Sequence, residues 1–389
     1  MIKAQQMVEQ AERQMEHYLV DLQTLVNIDS GTYTKAGVDA VGAYLQERFQ
    51  AFGFSTRFDA QEQYGNHLIA THIGNASHGP RILLIGHMDT VFSAGEAQRR
   101  PFAISEQNGS RIATGPGVLD MKSGLLIGMY GLHLLIAMQQ INYQSVTFIC
   151  NSDEEIGSPS SKALIQDVAK QSDAAIVLEP GRALSTVVSW RRSSGLYRVE
   201  VHGVAAHAGV EPQKGRNAIL ELASQVQKMH ALNGTIPGTT LSVGVIHGGE
   251  RSNVVPDYAY CDMDVRATDH AGIQAIEAAM QKVTTQHVLD GTTITLSGGM
   301  RSQPFERNSR NAHLIHLVKE AGSELGLKIE DVGSGGASDA NNTAAVGTPT
   351  IDGLGAGGSL AHNPGEYVEL DYLPVRIALL AGLVQRIGK

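Results

Sequence analysis

Apolar positions recur three or four residues apart over 5–28, where Met7, Ala11, Met15, Tyr18, Leu22 and Leu25 form one stripe ending at Asp29-Ser30-Gly31. That period predicts a helix with one buried face. A second helical pattern occupies 38–52 and stops at Gly53. The runs HLIATHI (67–73), RILLIGHMD (81–89), VTFICNSDEE (146–155) and AAIVLEP (174–180) are apolar along their length rather than at alternate residues. Interleaved with a helix after Met121 and another after Pro159, they predict an α/β sheet covered by helices on both faces.

The pattern changes near Trp190. Apolar residues alternate over 195–201, a helical pattern follows over 217–232, and two more alternating strands (239–248 and 258–267) precede a helix from 269 to about 288. Closed by TTITLSG (292–298), this β-α-β-β-α-β order is the ferredoxin-like arrangement. The remainder returns to helix/strand alternation, with a Gly-rich stretch at 333–336 and a terminal helix over 370–387. The organisation expected is an α/β domain (1–190 and 300–389) interrupted by a compact α+β domain (191–299).

A chain of 389 residues is long enough for a large core, so neither disulfides nor a structural metal is needed for folding. Lys and Arg number 30 against 39 Asp and Glu, a net charge of −9 that argues against a nucleic-acid partner. Cys150 and Cys261 lie in apolar strand-like runs, which suits a reducing compartment rather than a disulfide framework. Charged and amide residues interrupt every apolar stretch of the first twenty residues, so no signal-peptide core is expected and the location expected is cytoplasmic. The most apolar segment, 123–138, is short for a membrane span of about 20 residues and contains His133. It reads as a buried core helix, with no membrane role.

HExxH, Walker A and GxSxG motifs are absent. A formal GxGxxG occurs at Gly353, Gly355 and Gly358, but Ser-Leu-Ala-His-Asn-Pro-Gly follows and cannot open the helix that a dinucleotide pyrophosphate requires. Carboxylates and imidazoles cluster elsewhere: His87 and Asp89 just past one apolar strand, Glu154 and Glu155 past another, Glu179 past a third, Asp120 in a loop entering the long helix, and His362 in a loop before the last. Each alone has an ordinary explanation, such as a hydrogen-bonded turn, an N-cap or a solvated pair. Together, acidic groups at the carboxyl ends of separate strands converge on one crevice, where they repel unless a cation neutralises them. Nitrogen and oxygen donors without thiolate suit zinc, or alternatively manganese or cobalt.

The motifs HMDTV, GPGVLDMKSG with Asp120 33 residues after His87, SDEEIGSPSS, LEP, HGVAAHAG and AHNPGEY closely resemble the co-catalytic di-zinc amidohydrolases, the family of aminoacylases, acetylornithine deacetylases and glutamate carboxypeptidases. Glu at position 179 and the stretch GSGGASDANNTAAVGTPTIDGLGAGG are most similar to the glutamate carboxypeptidase branch. The resemblance implies a mixed-sheet zinc-peptidase domain with helices on both faces, carrying an inserted ferredoxin-like lid and dimerisation domain. It further implies two Zn2+ per chain, with Co2+ or Mn2+ as substitutes. Asp120 would bridge the ions, His87 and Glu179 would complete one, and Glu155 and His362 the other. Asp89 resembles the acid that orients His87, and Glu154 the general base. A cis peptide would follow Asp120.

In the inserted segment, His207 resembles the histidine that reaches the partner subunit's site to stabilise the oxyanion. Asn253, Arg266, Gly336 and Ala337 resemble substrate-binding positions, Arg being suited to clamp a free α-carboxylate. Arg301 resembles a hinge arginine, although Ser302-Gln303-Pro304 replaces the usual residues after it. The activity implied is hydrolysis of the amide to a C-terminal amino acid, with a small N-acyl amino acid or short peptide as substrate and a homodimer as the assembly. N-acyl-amino-acid deacylation is the alternative. A non-catalytic binding module on the same fold is a more distant one, opposed by the complete ligand set.

Overall fold

The computed structural model describes residues 3–181 and 183–388. The chain divides into two compact units, one formed by the chain up to Ser189 with Arg307–Gly333 and the segment from Ser338, the other by Trp190–Glu306 with Ser334–Ala337. In chain order, the first unit begins with α1 (Ala4–Arg13), α2 (Met15–Val26), α3 (Lys35–Ala51), β1 (Ser55–Asp59), β2 (His67–Ile73) and β3 (Arg81–His87). It continues through α4 (Ser123–Ala137), β4 (Ser145–Asn151), α5 (Lys162–Ala169) and β5 (Ala174–Val177). The second unit contains β6 (Ser194–His202), α6 (Ala218–His230), β7 (Thr239–Gly248), β8 (Tyr258–Ala267), α7 (His270–Thr284) and β9 (Thr293–Ser302). The first resumes with α8 (Ser309–Glu324), α9 (Asp339–Ala344), β10 (Thr350–Ile351) and α10 (Leu373–Ile387).

The main sheet is mixed and six-stranded, in the order β1-β2-β4-β3-β5-β10. The β1/β2 and β2/β4 pairs are antiparallel, whereas β4/β3, β3/β5 and β5/β10 are parallel. Four consecutive β3 residues, Ile82, Leu83, Leu84 and Ile85, are buried. Side chains alternate between sheet faces, so both faces are covered, as the uninterrupted apolar runs require. α3 and α4 pack against strands of this sheet, α10 packs on α4, and α5 and α9 pack together with α9 against β5.

The apolar stripe over 5–28 is split at Gln14 into α1 and α2, where a single helix was expected. Its members Met7, Ala11, Tyr18, Leu22 and Leu25 are nevertheless all buried. The break lets the halves serve different neighbours, α1 packing chiefly on α10 and α2 on α4. The run Val118–Ala137 has the length and apolarity of a membrane span, longer than the 123–138 expected because the turn before α4 adds to it. Most of it is buried in the first unit, the environment of a core helix.

In the second unit the strands lie in the order β7-β8-β6-β9, all antiparallel, with α6 and α7 burying Leu222, Met229, Ile276 and Met280 against Val199, Val201, Cys261 and Met263. This is the ferredoxin-like order. The unit extends past the expected end at 299 because β9 runs to Ser302 and Phe305 bridges back to Arg191. Residues Ser334–Ala337 join it through the buried Arg191, whose guanidinium donates to Ser334 Oγ and the Gly336 carbonyl.

A second sheet of the first unit was not expected from periodicity. The hairpin Ala103–Gln107/Ser110–Thr114 pairs with Tyr367–Glu369, which pairs in turn with Gly358–Ser359. It aligns the approach to Asp120 with both arms of the loop that carries His362.

Candidate active site

His87 ends β3, and Asp89 lies two residues beyond it. Glu154 and Glu155 open a short turn (Glu154–Ile156) after β4, and Glu179 follows β5. These adjacent parallel strands therefore deliver their side chains at one edge of the sheet, as parallel α/β sheets do. Asp120 lies in the kinked turn before α4, with a cis peptide to Met121. His362 lies in the loop of the second sheet with φ +64°, a left-handed conformation unusual for a residue with a side chain.

The structure brings the expected ligands together. Asp120 Oδ1 is 3.0 Å from His87 Nε2, and Asp120 Oδ2 is 3.1 Å from His362 Nε2. His87 Nε2 is 3.8 Å from Glu179 Oε1, and His362 Nε2 is 3.2 Å from Glu155 Oε2. The two oxygens of Asp120 thus face two different imidazoles, each with a second carboxylate beside it. Donor atoms of His87, Asp120 and Glu155 form one group within 4.8 Å of one another, and those of His87, Glu154 and Glu179 form another.

Asp89 is fully buried and serves several groups at once. Its carboxylate accepts from Thr32 Oγ1 at 2.7 Å and from the backbone N–H groups of Glu154 and Glu155 at 3.2 Å. His87 Nδ1 lies 2.9 Å from the Asp89 carbonyl oxygen and 3.4 Å from its carboxylate, which orients the ring so that Nε2 faces Asp120 and Glu179.

The electrostatics of the cluster favour positive charge. Burial and the neighbouring charge of Glu179 push the Glu154 carboxyl well above the usual range, and burial likewise raises Glu155. Hydrogen bonds to Asp120 and Glu155 raise His362 to about 10. At His87 burial opposes the charged form, but its bonds to Asp120 and Asp89 prevail and hold it well above the ordinary histidine value. The raised proton affinities mark a cluster in which positive charge is favoured, as a divalent cation would supply. Glu155 Oε1 is buried with no hydrogen-bond partner among the described residues, while its Oε2 faces His362. The donor set and that orphaned oxygen both fit divalent metal ions.

Sequence reasoning missed the groups that hold these ligands. Glu366, four residues after His362 and fully buried, accepts the backbone N–H groups of Gly117, Leu119 and Asp120 at 3.1, 2.8 and 2.9 Å. Burial pushes its carboxyl up to about 7 against the pull of those donors. Gly117 is required there, with φ +70° and only 2.5 Å between an added Cβ and Thr90 Cγ2. Arg376 of α10 is completely buried and donates to the carbonyls of Gly353, Gly355, Leu184 and Thr186. Gly355 in turn donates to the Glu179 carbonyl at 3.0 Å. The Gly353–Gly358 motif is thus a loop backing Glu179, and its Gly353 and Gly355 carbonyls meet the Arg376 guanidinium. The visible signals were a carboxylate inside AHNPGEY and an arginine on an otherwise apolar helical face.

The remaining expected residues lie in the second unit. His207 and Asn253 are neighbours: His207 pairs with Val254, and the Asn253 carbonyl accepts from Ala208 N at 3.0 Å. Arg266, on β8, directs Nε and one terminal nitrogen onto Asp264 at 2.7 and 2.9 Å, so its fork is already occupied by a carboxylate. Arg301 sits in the bulge of β9 between Met300 and Ser302. Gly336 and Ala337 lie in the segment tied to Arg191.

A profile of peptidase family M20/M25/M40 matches residues 83–386. The chain belongs to this family. Carboxypeptidase G2 of Pseudomonas sp. (strain RS-16) is 30% identical over 375 residues, covering 94% of this chain and 88% of that protein. Among solved structures, aminopeptidase PepT of Bacillus cereus ATCC 10987 superimposes with a TM-score of 0.82 at 23% identity over 96% of this chain and 99% of its own. The YXEP protein of Bacillus subtilis, a dinuclear metal-binding peptidase from the M20 family, gives 0.70 at 14% identity over 97% and 99%. The M20 fold pairs a catalytic domain with an inserted one, and membership makes this chain a hydrolytic enzyme of the metallopeptidase or amidohydrolase type.

Proposed function

We propose that this M20 enzyme hydrolyses the amide bond to a C-terminal amino acid bearing a free carboxylate, using two divalent metal ions, preferably Zn2+. The observation that carries the reading is the placement of Asp120, whose two oxygens face His87 with Glu179 on one side and His362 with Glu155 on the other. Ions held there would supply Lewis acidity, polarising a carbonyl and acidifying water. Glu154 belongs to the same cluster, and its raised affinity for protons suits a general base. It takes a proton from the attacking water as oxygen bonds to the carbonyl carbon, then delivers it to the nitrogen as the C–N bond breaks. Asp89 holds His87 and the backbone of Glu154 and Glu155 in place.

His207 and Asn253 form the oxyanion and substrate contacts of the second unit. His207 serves the site of a partner copy in a homodimer that pairs through this unit; β7 is an edge of its sheet and exposes Val245 and Ile246. Arg266 clamps the substrate carboxylate in exchange for Asp264, with Arg301, Gly336 and Ala337 as further contacts. The similarity to carboxypeptidase G2 supports this reading over deacylation of short N-acyl groups. The buried free thiols Cys150 and Cys261 suit the cytoplasm. The test is turnover of acyl-glutamate, acyl-alanine and their α-amides by the metal-loaded protein. Loss of at least about 10-fold in kcat/KM on the α-amides is expected from leaving a charged donor unpaired. Equal rates on acids and α-amides would remove the carboxylate requirement.

A further inference from the structure

A cavity of about 340 Å3 lies in the first unit, lined by Thr32, Tyr33, Val91, Phe92, Glu155 and Ile156 among others. Its volume falls within the range of small-molecule sites. One wall is Glu155, a member of the carboxylate-imidazole cluster, so the cavity adjoins that cluster. We propose that it is the acyl-side pocket of the active site and that it selects an uncharged aromatic or branched apolar acyl group. This rests on the amide-hydrolase reading above and names the half of the substrate that reading leaves open.

The chemistry of the walls carries the assignment. Among the described residues lining the cavity there is no Lys, Arg or His, and Glu155 is the sole carboxylate. Arg100 stands outside the lining, stacked 4.8 Å over the Phe92 ring centroid; it donates to Glu96 and the Pro364 carbonyl, and its other terminal nitrogen is buried. The free carboxylate of the leaving amino acid therefore has no side-chain counter-ion among the lining residues, and neither has an anionic acyl group. Apolar surface, by contrast, is left uncovered: Val91 is 44% and Tyr33 is 73% exposed. Tyr33 and Tyr64 form a tilted ring pair, 6.2 Å between centroids. Exposed aromatic and β-branched surface beside a buried polar cluster is what an apolar substrate group covers.

The walls are also built rather than loose. Thr32 donates to Asp89, the residue that holds Glu154 and Glu155. Residues 31 and 90 form a parallel bridge, reinforced by Thr32 N to Thr90 O at 3.2 Å and Thr90 N to Ser30 O at 2.9 Å. Asp29 accepts Gly95 N at 2.7 Å and Ala97 N at 2.8 Å, fixing the far side of the loop. Gly31 admits the close approach, since an added Cβ would lie 2.2 Å from the Phe92 carbonyl oxygen. Pocket shape is thus coupled through Asp89 to the backbone that presents the cluster.

The experiment compares N-acetyl, N-benzoyl and N-succinyl derivatives of one amino acid, by turnover with the zinc-loaded enzyme and by calorimetric binding to zinc-loaded Glu154→Gln. Covering a ring of phenyl size should favour benzoyl over acetyl by about 10- to 100-fold in kcat/KM and in affinity, with succinyl weakest. Tyr33→Ala should bring the benzoyl-to-acetyl ratio towards one, and Val91→Arg should raise the succinyl-to-acetyl ratio; both positions are exposed, so neither change threatens the core. Turnover with ratios flat across the acyl groups and unmoved by both variants would overturn the pocket. Binding that keeps the benzoyl preference, with no hydrolysis of any derivative, would uphold the pocket and overturn the reaction.

Discussion

Replacing Glu366 by Gln tests whether the backbone cradle behind Asp120 serves the metal ligands or only the fold. In the native protein one carboxylate oxygen accepts Leu119 N and Asp120 N at 2.8 and 2.9 Å, while the other accepts Gly117 N at 3.1 Å. A glutamine can keep the first pair through its carbonyl oxygen. Its amide nitrogen then faces the Gly117 N–H, donor against donor, in a site with no solvent access. Losing one bond and weakening two others costs about 1 to 4 kcal/mol, the range set by about 1 kcal/mol for a bond to a neutral acceptor and up to about 3 for one to a charged acceptor. Because the affected backbone carries Asp120, much of this should appear as poorer ligand aim, and such supporting changes typically weaken metal affinity 10- to 100-fold. The assay is zinc competition against a chromophoric chelator, with thermal unfolding of the metal-free protein measured alongside. An unchanged zinc affinity with only a lowered Tm would refute the reasoning and make Glu366 a purely structural residue.

Three further outcomes follow from the same geometry. Glu154→Gln should retain zinc and lose about 10²- to 10⁴-fold in kcat, measured as turnover at matched metal content; near-parental turnover would place the base elsewhere. Asp89→Asn should weaken zinc binding by 10- to 100-fold, because the acid beside His87 also holds the backbone of Glu154 and Glu155. Mixing His207→Ala chains with Glu154→Gln chains should restore activity after verified subunit exchange, since one site of each heterodimer then has both groups intact; no recovery would confine His207 to its own chain.

Much of the architecture was legible because apolar strands and their polar ends are adjacent in the chain. The runs ending at His87, Asn151 and Val177 announce a buried parallel core, and residues just past such strands must lie at one sheet edge. Asp120 and His362 could be placed only through the motifs around them. Their meeting depends on pairing of Ser110–Thr114 with Tyr367–Glu369, short strands far apart in sequence with little periodicity. Glu366 and Arg376 escaped notice for a related reason: their partners are backbone N–H and carbonyl groups, which carry no residue-type signature. The break at Gln14 was illegible because the apolar stripe continues across it, and what separates the halves is the choice of packing partner. Arg266 looked available in sequence because nothing there shows its side chain turning onto Asp264, two residues away on the same strand.

The central claim is a pair of metal ions straddled by Asp120. Anomalous diffraction from zinc-loaded crystals, collected on both sides of the zinc edge, tests it most directly. Two peaks per chain are expected, separated by about 3.5 to 4 Å, one beside His87 and Glu179 and the other beside Glu155 and His362. A single peak in fully active crystals, or a pair that leaves Asp120 outside the coordination of either ion, would contradict it.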